Sequence, residues 1–257
     1  MPNISQLLLK YKITQLHLFV AFLLVYALCA LFYNLSWEVV SFFGVVMGTA
    51  LGGFYLLKFL TKKPKNVLNS VISGLILFLT LHYGPDVQAL WIGAAAMGMI
   101  LVYKFFLQYK GISWVNPVVF GLLFAHFIGG FVSWWGAAFA GYWSFGLVLI
   151  WCVFGLRKWM KHKIALLFLL GSFAVIWMLR GWEVTQFVFT DATIYFLAGV
   201  MLVEPKSSPV LLKQQIPYAL VALLVYHCCV WFHVANAELL AILAANIFFF
   251  IQRVKLS

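Results

Sequence analysis

Apolar stretches long enough to cross a lipid bilayer follow one another along this 257-residue chain, with short polar gaps between them. All but one of the seventeen Lys and Arg residues lie in alternate gaps, and Arg180 is the exception. Basic residues collect in the cytoplasmic loops of multi-span membrane proteins. The charge pattern therefore predicts a polytopic membrane protein whose basic gaps face the cytoplasm.

Ten membrane spans are predicted from the apolar stretches. A helix needs about 20 apolar residues to cross a bilayer, so the uncharged stretch 118–156 is too long for one span, and we divide it at the small residues around 136–141. An even number of spans places both termini on the same side, the cytoplasmic one. We predict an all-α, multi-pass protein of the bacterial inner membrane, with spans at 16–32, 39–57, 67–83, 89–106, two within 118–156, and 164–179, 187–203, 216–232 and 237–251.

The net charge of +11 raises the question of nucleic-acid binding. The basic residues are spread over six gaps and do not form one face, which favours contact with anionic lipid headgroups. With 65% hydrophobic and only 9% charged residues, the chain could not bury its apolar surface as a soluble domain. We therefore expect the lipid bilayer as a partner and no nucleic acid.

Ten spans divide into two sets of five, and an odd number in each set makes the two halves inverted in the membrane. We place the halves at 1–136 and 137–257 of a single membrane domain. Spans three and eight each end near a proline, Pro85 and Pro205. Transporters with such repeats carry their site near the midplane, where interrupted helices from the two halves meet.

Hydroxyl residues occupy matching positions before these two prolines. Ser70 and Ser73 precede the first proline by the same intervals as Thr190 and Thr193 precede the second. Residues three apart share one face of a helix, so we predict a polar pair in each half. The alternative is that these hydroxyls only bond to carbonyls of their own helices.

Asp191 is the clearest candidate among the polar residues predicted to lie within a span, about one turn inside the outer end of span eight. A carboxylate in hydrocarbon is costly unless it is paired, protonated or hydrated. We therefore consider it a candidate functional residue. The alternative is an interfacial residue that bonds to the neighbouring threonines.

Two other segments contain residues that favour interrupted helices. Glu204 and Ser207 lie in a run with prolines at 205 and 209, which prevent a continued helix and leave backbone amides available to a ligand. Asn116 precedes Pro117 at the start of span five, an arrangement typical of a helix N-cap. A stiff loop and simple capping, respectively, are the alternatives.

Three segments together resemble the RnfD/NqrB family of membrane subunits. Residues 111–121, which contain Asn116-Pro117, are similar to the family's Phe-Asn-Pro-Ala motif. The Glu-Pro-Lys-Ser-Ser-Pro run at 204–209 is similar to its Asp-Pro-Val-Thr/Ser-Ser/Ala segment, and residues 69–81 resemble its Ser/Thr-Gly-Leu-rich third span. Their order and spacing extend the resemblance over most of the chain.

The resemblance implies two inverted five-helix repeats, related in shape to urea channels, within a flavin-carrying electron-transfer complex that couples redox chemistry to Na⁺ or H⁺ movement. Full-length members attach FMN to a threonine after span five, where this chain has Trp-Trp-Gly-Ala-Ala-Phe at 134–139. We therefore expect a non-covalent flavin, either FMN or riboflavin. Such a subunit would depend on cytoplasmic or membrane redox partners and would not complete a reaction alone.

No catalytic residue or metal ligand is predicted. The residues expected to contact a flavin are Ser70, Ser73, Asn116, Thr190, Asp191, Thr193, Glu204 and Ser207. His126 and His227, at comparable depth in spans five and nine, leave a bis-histidine haem as an alternative cofactor. The alternative functions are a transporter or channel for a small polar solute or a flavin, and a membrane enzyme in a biosynthetic cluster.

The predicted orientation can be tested by labelling single cysteines introduced into a variant that lacks the four natural ones. Cysteines that replace Lys62 and Arg157 should both react with an impermeant reagent only from the cytoplasmic side, and a cysteine that replaces Asp86 should react only from outside. Labelling of the first two positions from opposite sides would contradict the ten-span topology.

Overall fold

The structure, a computed structural model, describes residues 14–108, 113–139, 142–204 and 207–255, so Pro205 and the start of the 111–121 segment lie outside these ranges. Ten helices follow one another within them. They are α1 (Gln15–Tyr33), α2 (Trp37–Thr61), α3 (Val67–Thr80), α4 (Val87–Phe106), α5 (Pro117–Phe127), α6 (Tyr142–Ile150, continuing through a π-helical turn at Trp151–Gly155 to Leu156–Lys158), α7 (His162–Thr190), α8 (Ala192–Phe196, continuing as a π-helical turn at Leu197–Met201), α9 (Leu212–Trp231) and α10 (Ala237–Lys255).

The described part of the chain contains no β-strand, which confirms the predicted all-α class. Six helices, α1, α2, α4, α7, α9 and α10, are long and apolar enough to cross a membrane. The other four are apolar but shorter, and they include α3, α5 and α8, which belong to the segments with the candidate site residues. The structure is thus compatible with a helical membrane protein in which several helices are interrupted.

Two boundaries differ from the predicted spans. Helix α5 ends at Phe127, and the chain then continues as a non-helical segment to residue 139 instead of completing a span. Helix α7 runs past the predicted end of span seven to Thr190, with a break at Gly181, whose φ of 81° is accessible to glycine. The predicted gap between spans seven and eight is therefore mostly helical.

The segment 128–139 folds back onto the end of α3. Leu81 forms an isolated antiparallel bridge with Val132. The amides of Ser133 and Gly136 donate to the carbonyls of Thr80 and Leu79, at 3.1 and 3.0 Å. Gly136 allows this close approach because a Cβ atom there would lie 2.9 Å from the Leu79 Cα. The returning segment thus supplies donors to the carbonyls at the end of α3.

The end of α8 is satisfied differently, by side chains from other elements. Carbonyls at the end of a helix have no partner within the helix. The donors, with their distances, are Trp151 Nε1 to Gly199 O (3.0 Å), Asn116 Nδ2 to Met201 O (3.1 Å), Tyr218 Oη to Leu202 O (3.0 Å) and Lys161 Nζ to Glu204 O (3.3 Å). Four elements outside α8 therefore hold its end in place.

The packing of the helices follows a repeating pattern. In the first half, the most extensive packings pair α1 with α3, α2 with α3, α2 with α4, and α4 with α5. The second half pairs α6 with α8, α7 with α8, α7 with α9, and α9 with α10. Each of these four pairs thus recurs in the second half with both helix numbers raised by five, whereas the smaller α3–α4 and α3–α5 packings have no comparable counterpart among the described helices.

Two pairs provide the most extensive packing between described helices of different halves, α1 with α6 and α5 with α10. At the first contact, the rings of Phe19 and Phe22 stack on Trp151 with centroids 4.9 and 4.8 Å apart. This aromatic contact packs the N-terminal half of α1 against the π-helical turn of α6.

Gly121 provides a test of the tight packing between α4 and α5. A Cβ atom at this position would overlap Ile100 and lie 3.0 Å from the Ala96 carbonyl oxygen, which is backbone and cannot easily move. We expect Gly121→Ala to lower the free energy of unfolding by about 1–3 kcal/mol, as overpacking does, and to lower the melting temperature in detergent.

Gly98, in α4, is the matched control because a Cβ atom there would meet no atom within 4 Å. Gly98→Ala should leave the melting temperature unchanged or raise it slightly. Equal destabilisation by the two substitutions would contradict the described packing.

Candidate functional site

A cavity of about 30 Å³ with both apolar and polar lining residues lies where the first turns of α3 and α5 meet the end of α4 and the residues after α8. By this measure it has room for about two or three water molecules. Its apolar wall includes Leu16, Phe54 and Phe105. Its polar lining consists of Lys65, Asn66, Asn69, Ser70, Ser73, Lys104, Gln108, Ser113, Asn116 and Glu204.

Helix α3 contributes Ser70 and Ser73, which lie one turn apart and both line the cavity. The Lys104 ammonium of α4 donates to Ser73 Oγ at 2.6 Å and to the backbone carbonyl of Asn69. The Ser70 hydroxyl belongs to a side chain that is only 1% exposed, and it has no hydrogen bond with any described residue. Ser70 therefore contributes to the cavity lining a hydroxyl without a partner among the described residues.

Asn116 joins two helix ends at the cavity. Its Oδ1 accepts from the Val118 amide at 2.9 Å and so caps α5, with Pro117 in the first turn as the sequence predicts. Its Nδ2 donates to the Met201 carbonyl at 3.1 Å. The side chain is fully buried. Asn116 therefore fixes the start of α5 against the end of α8 as well as lining the cavity.

Glu204 and Ser207 form a closed turn beside the cavity. The Glu204 Oε2 atom accepts from the Ser207 amide at 2.8 Å and from its hydroxyl at 2.6 Å. The Ser208 hydroxyl donates to the Glu204 carbonyl at 2.8 Å. Glu204 lines the cavity, whereas Ser207 is not part of the lining and holds the Glu204 carboxylate through these hydrogen bonds.

Lys161, in the loop between α6 and α7, holds this turn from the other side. Its Nζ donates to Ser208 Oγ at 2.7 Å and to the Ser208 carbonyl at 3.0 Å, and the side chain is only 2% exposed. Burial lowers the pKa of Lys161 to about 8, although the nearby Glu204 carboxylate acts in the opposite direction. Lys161 therefore positions the segment that carries Glu204.

The remaining predicted residues lie at the other end of α8. Asp191 Oδ1 accepts from the Thr193 amide at 2.8 Å and hydroxyl at 2.9 Å and thereby caps α8. Thr190 is exposed, ends α7 and donates to the Phe187 carbonyl at 2.9 Å. The prediction that Thr190 and Thr193 share one helix face is wrong because the chain leaves the helix at Asp191.

This second group is separated from the cavity by the length of α8. Its ten residues, 192–201, correspond to roughly 15 Å of helix. The alternative interpretation of Asp191, a residue bonded to a neighbouring threonine, is the arrangement found. Thr190, Asp191 and Thr193 are thus not part of the cavity that Ser70, Ser73, Asn116 and Glu204 line.

The lysine and glutamine side chains of the cavity were not predicted as site residues. Lys65 Nζ donates to Gln108 Oε1 at 2.7 Å, and Gln108 Nε2 donates to Ser113 Oγ at 3.1 Å. In the sequence, Lys65 and Lys104 fit the cytoplasmic charge pattern and show no further sign of a site. The short distance between Lys104 and the polar start of α3 depends on helix packing, which the sequence does not display.

The two histidines of the haem alternative are on helices from different halves. His126 is exposed near the end of α5, and His227 on α9 contacts Ser172 Oγ of α7 at 3.2 Å. Extensive packing of α5 is with α3, α4 and α10, and that of α9 is with α7 and α10. Within the described ranges, no group of three or more His, Cys, Asp or Glu residues could hold a metal ion.

The buried amine of Lys161 predicts a pH dependence of stability. In an unfolded chain the pKa of a lysine is near 10.5, and in the folded protein that of Lys161 is about 8. Between these values the unfolded state binds a proton that the folded state has released, so the free energy of unfolding should rise with pH by up to about 1.4 kcal/mol per pH unit. Lys161→Met should lose this rise, as measured by denaturant titration in detergent at several pH values.

Lys163→Met is the control for this experiment, because it removes an exposed lysine from the same region and retains Lys161. It should keep the pH dependence of the wild-type protein. The same dependence in Lys161→Met would show that another group is responsible.

Comparison with models of protein families gives no match, and comparison with curated proteins gives no significant match. The candidate site therefore rests on its geometry. Three segments singled out in the sequence meet there. Each of those segments, 69–81, 111–121 and 204–209, contributes a lining side chain to the cavity.

Proposed function

We propose that the ten helices are ten membrane spans arranged as two inverted five-helix halves, 1–136 and 137–257, with both termini in the cytoplasm of a bacterial cell. The recurrence of the same helix pairs with numbers raised by five supports this arrangement. A two-fold axis that exchanges the halves would place α1 on α6 and α5 on α10. These two pairs are also the ones that join the halves most extensively. An internal repeat gives one physical reason for both observations.

We further propose that this scaffold is the membrane subunit of a flavin-dependent electron-transfer complex, in which redox partner subunits deliver electrons and ion movement accompanies the transfer. The observation that carries the proposal is the convergence of the three family-like segments. Ser73, Asn116 and Glu204 come from separate regions of the sequence and line one cavity. Alone, the chain would bind the cofactor and would not complete a reaction cycle.

The cavity matches a flavin in chemistry but not in size. Hydroxyl, amide and ammonium groups suit the polar edges of a flavin, and aromatic side chains suit its rings. A cofactor site usually has a volume of about 300–1,000 Å³, whereas this cavity has about 30 Å³. The flavin ring does not fit this conformation. Phe54 and Phe105, which pack edge to face at 5.8 Å beside the cavity, would have to separate to admit it.

The small volume favours a second candidate function, a transporter or channel for a small polar solute. The first half lines the cavity except for Glu204 of the second half, and transporters built from inverted repeats hold their substrate where the two halves meet. The space here suits a solute of a few heavy atoms and excludes a large ring. This function requires no redox partner and no cofactor.

The absorption spectrum of the chain purified in mild detergent separates these functions. A flavin band near stoichiometric occupancy is the result expected for the electron-transfer subunit. A preparation that stays colourless after incubation with FMN and riboflavin would contradict that function and favour transport. A haem Soret band would instead support His126 and His227 as ligands.

Two matched substitutions locate the flavin. Ser73→Leu fills the cavity with a larger side chain and should abolish the flavin band. Thr193→Leu makes the same kind of change at the other end of α8 and should preserve it. Equal loss from both variants, with normal expression, would place the flavin elsewhere.

A further inference from the structure

We propose that the cavity binds an oxyanion, the phosphate or carboxylate group of a small ligand. This inference rests on the proposed function in one respect, that this cavity is the ligand site. It applies equally to an electron-transfer subunit and to a transporter. It rests on the charges that line the cavity, on the helix ends directed at it, and on polar side chains that lack partners.

The ionised side chains favour an anion. Lys65 and Lys104 both line the cavity, and Glu204 is the one acidic side chain among the described residues that line it. One carboxylate oxygen of Glu204 already accepts two hydrogen bonds from Ser207. The buried Lys161 ammonium lies on the other side of the same turn. The cavity therefore has an excess of positive charge.

Two helices of more than ten residues begin at the cavity. Asn66 caps the 14-residue α3 and Asn116 caps the 11-residue α5, and both side chains are part of the lining. The N-terminal end of a helix carries a partial positive charge and attracts anions. The two ends add to the potential of the lysines.

Partnerless polar groups are the independent indication of a ligand. Ser70, whose side chain is 1% exposed, and the half-buried Asn69 line the cavity, and the side chain of neither has a hydrogen bond with a described residue. Polar groups in the interior of a protein are normally hydrogen-bonded. A hydroxyl and an amide can both donate to an oxyanion, so a ligand of this class would give both side chains a partner.

A cation is disfavoured at the same place. The Lys104 ammonium already donates to the Asn69 carbonyl and to the Ser73 hydroxyl, which are oxygen ligands of the kind that Na⁺ would need. A second positive charge beside it would be repelled. The volume of about 30 Å³ accommodates one carboxylate or phosphate group.

Calorimetric titration of the full chain in detergent with inorganic phosphate, at constant ionic strength, tests the proposal. We expect saturable binding that Ser70→Ala weakens about tenfold, as expected for loss of a hydrogen bond to a charged group. Ser41→Ala is the control because Ser41 bonds only within α2, to the carbonyls of Trp37 and Glu38. Absence of saturable phosphate and acetate binding to the wild-type protein would overturn the proposal.

Lys104→Met should abolish phosphate binding, and Lys163→Met, which changes an exposed lysine outside the cavity, should not. Because Lys104 also bonds to α3, the melting temperature of each variant is measured in parallel. If Lys104→Met does not fold, Ser70→Ala decides the question, since its hydroxyl has no partner to lose. Equal phosphate affinity of Ser70→Ala and the wild-type protein would overturn the proposal.

FMN and riboflavin, which differ by one phosphate, separate this inference from the proposed function. Tighter binding of FMN, with competition by phosphate, supports both. Equal binding of the two flavins without phosphate competition overturns the oxyanion site and leaves the flavin function standing. Phosphate binding without flavin binding supports the oxyanion site and overturns the flavin function.

A lipid headgroup is tested as the natural source of the oxyanion by measuring phosphate binding in nanodiscs of phosphatidylglycerol and of phosphatidylcholine. Weaker phosphate binding in phosphatidylglycerol would identify the headgroup as that source.

Discussion

The interrupted ends of α3 and α8 impose the main constraint on this structure. A helix that stops among apolar side chains leaves backbone carbonyls without partners, and in a membrane protein water cannot reach most of them. Each such carbonyl therefore needs a donor from elsewhere in the fold. The donors at the end of α8 determine where α5, α6 and α9 are fixed, through Asn116, Trp151 and Tyr218.

The cavity follows from the same constraint. Asn116 has to reach the Met201 carbonyl, and this brings the start of α5 against the residues that follow α8. Lys161 has to reach the Ser207-Ser208 turn, which holds Glu204 at the rim. Asn116 and Glu204 are thereby placed next to the start of α3, and the cavity is the small space that remains between these groups. The candidate site and the stabilisation of the helix ends thus share residues.

Hydropathy and local capping signals predicted much of the fold. Every predicted span overlaps a helix, and the Asn116-Pro117 start of α5 was recognised because capping depends on adjacent residues. The pairing of Thr190 with Thr193 failed because it assumed a continuous helix, whereas Asp191 starts a new one. Lys104 and Lys161 were missed for another reason. A lysine that follows the topology pattern looks the same in sequence whether it faces water or a buried carbonyl.

The carbonyls at the ends of α3 and α8 obtain their hydrogen-bond donors from different places. The two halves of the chain therefore do not depend on each other equally. The end of α3 receives its donors from the segment 128–139, which follows α5 directly, so the first half contains the partners for its own break. The Met201 carbonyl receives its donor from Asn116, which belongs to the first half. During synthesis the earlier half can therefore satisfy its broken helix alone, whereas the Met201 carbonyl of the later half obtains its donor from a residue that has already emerged.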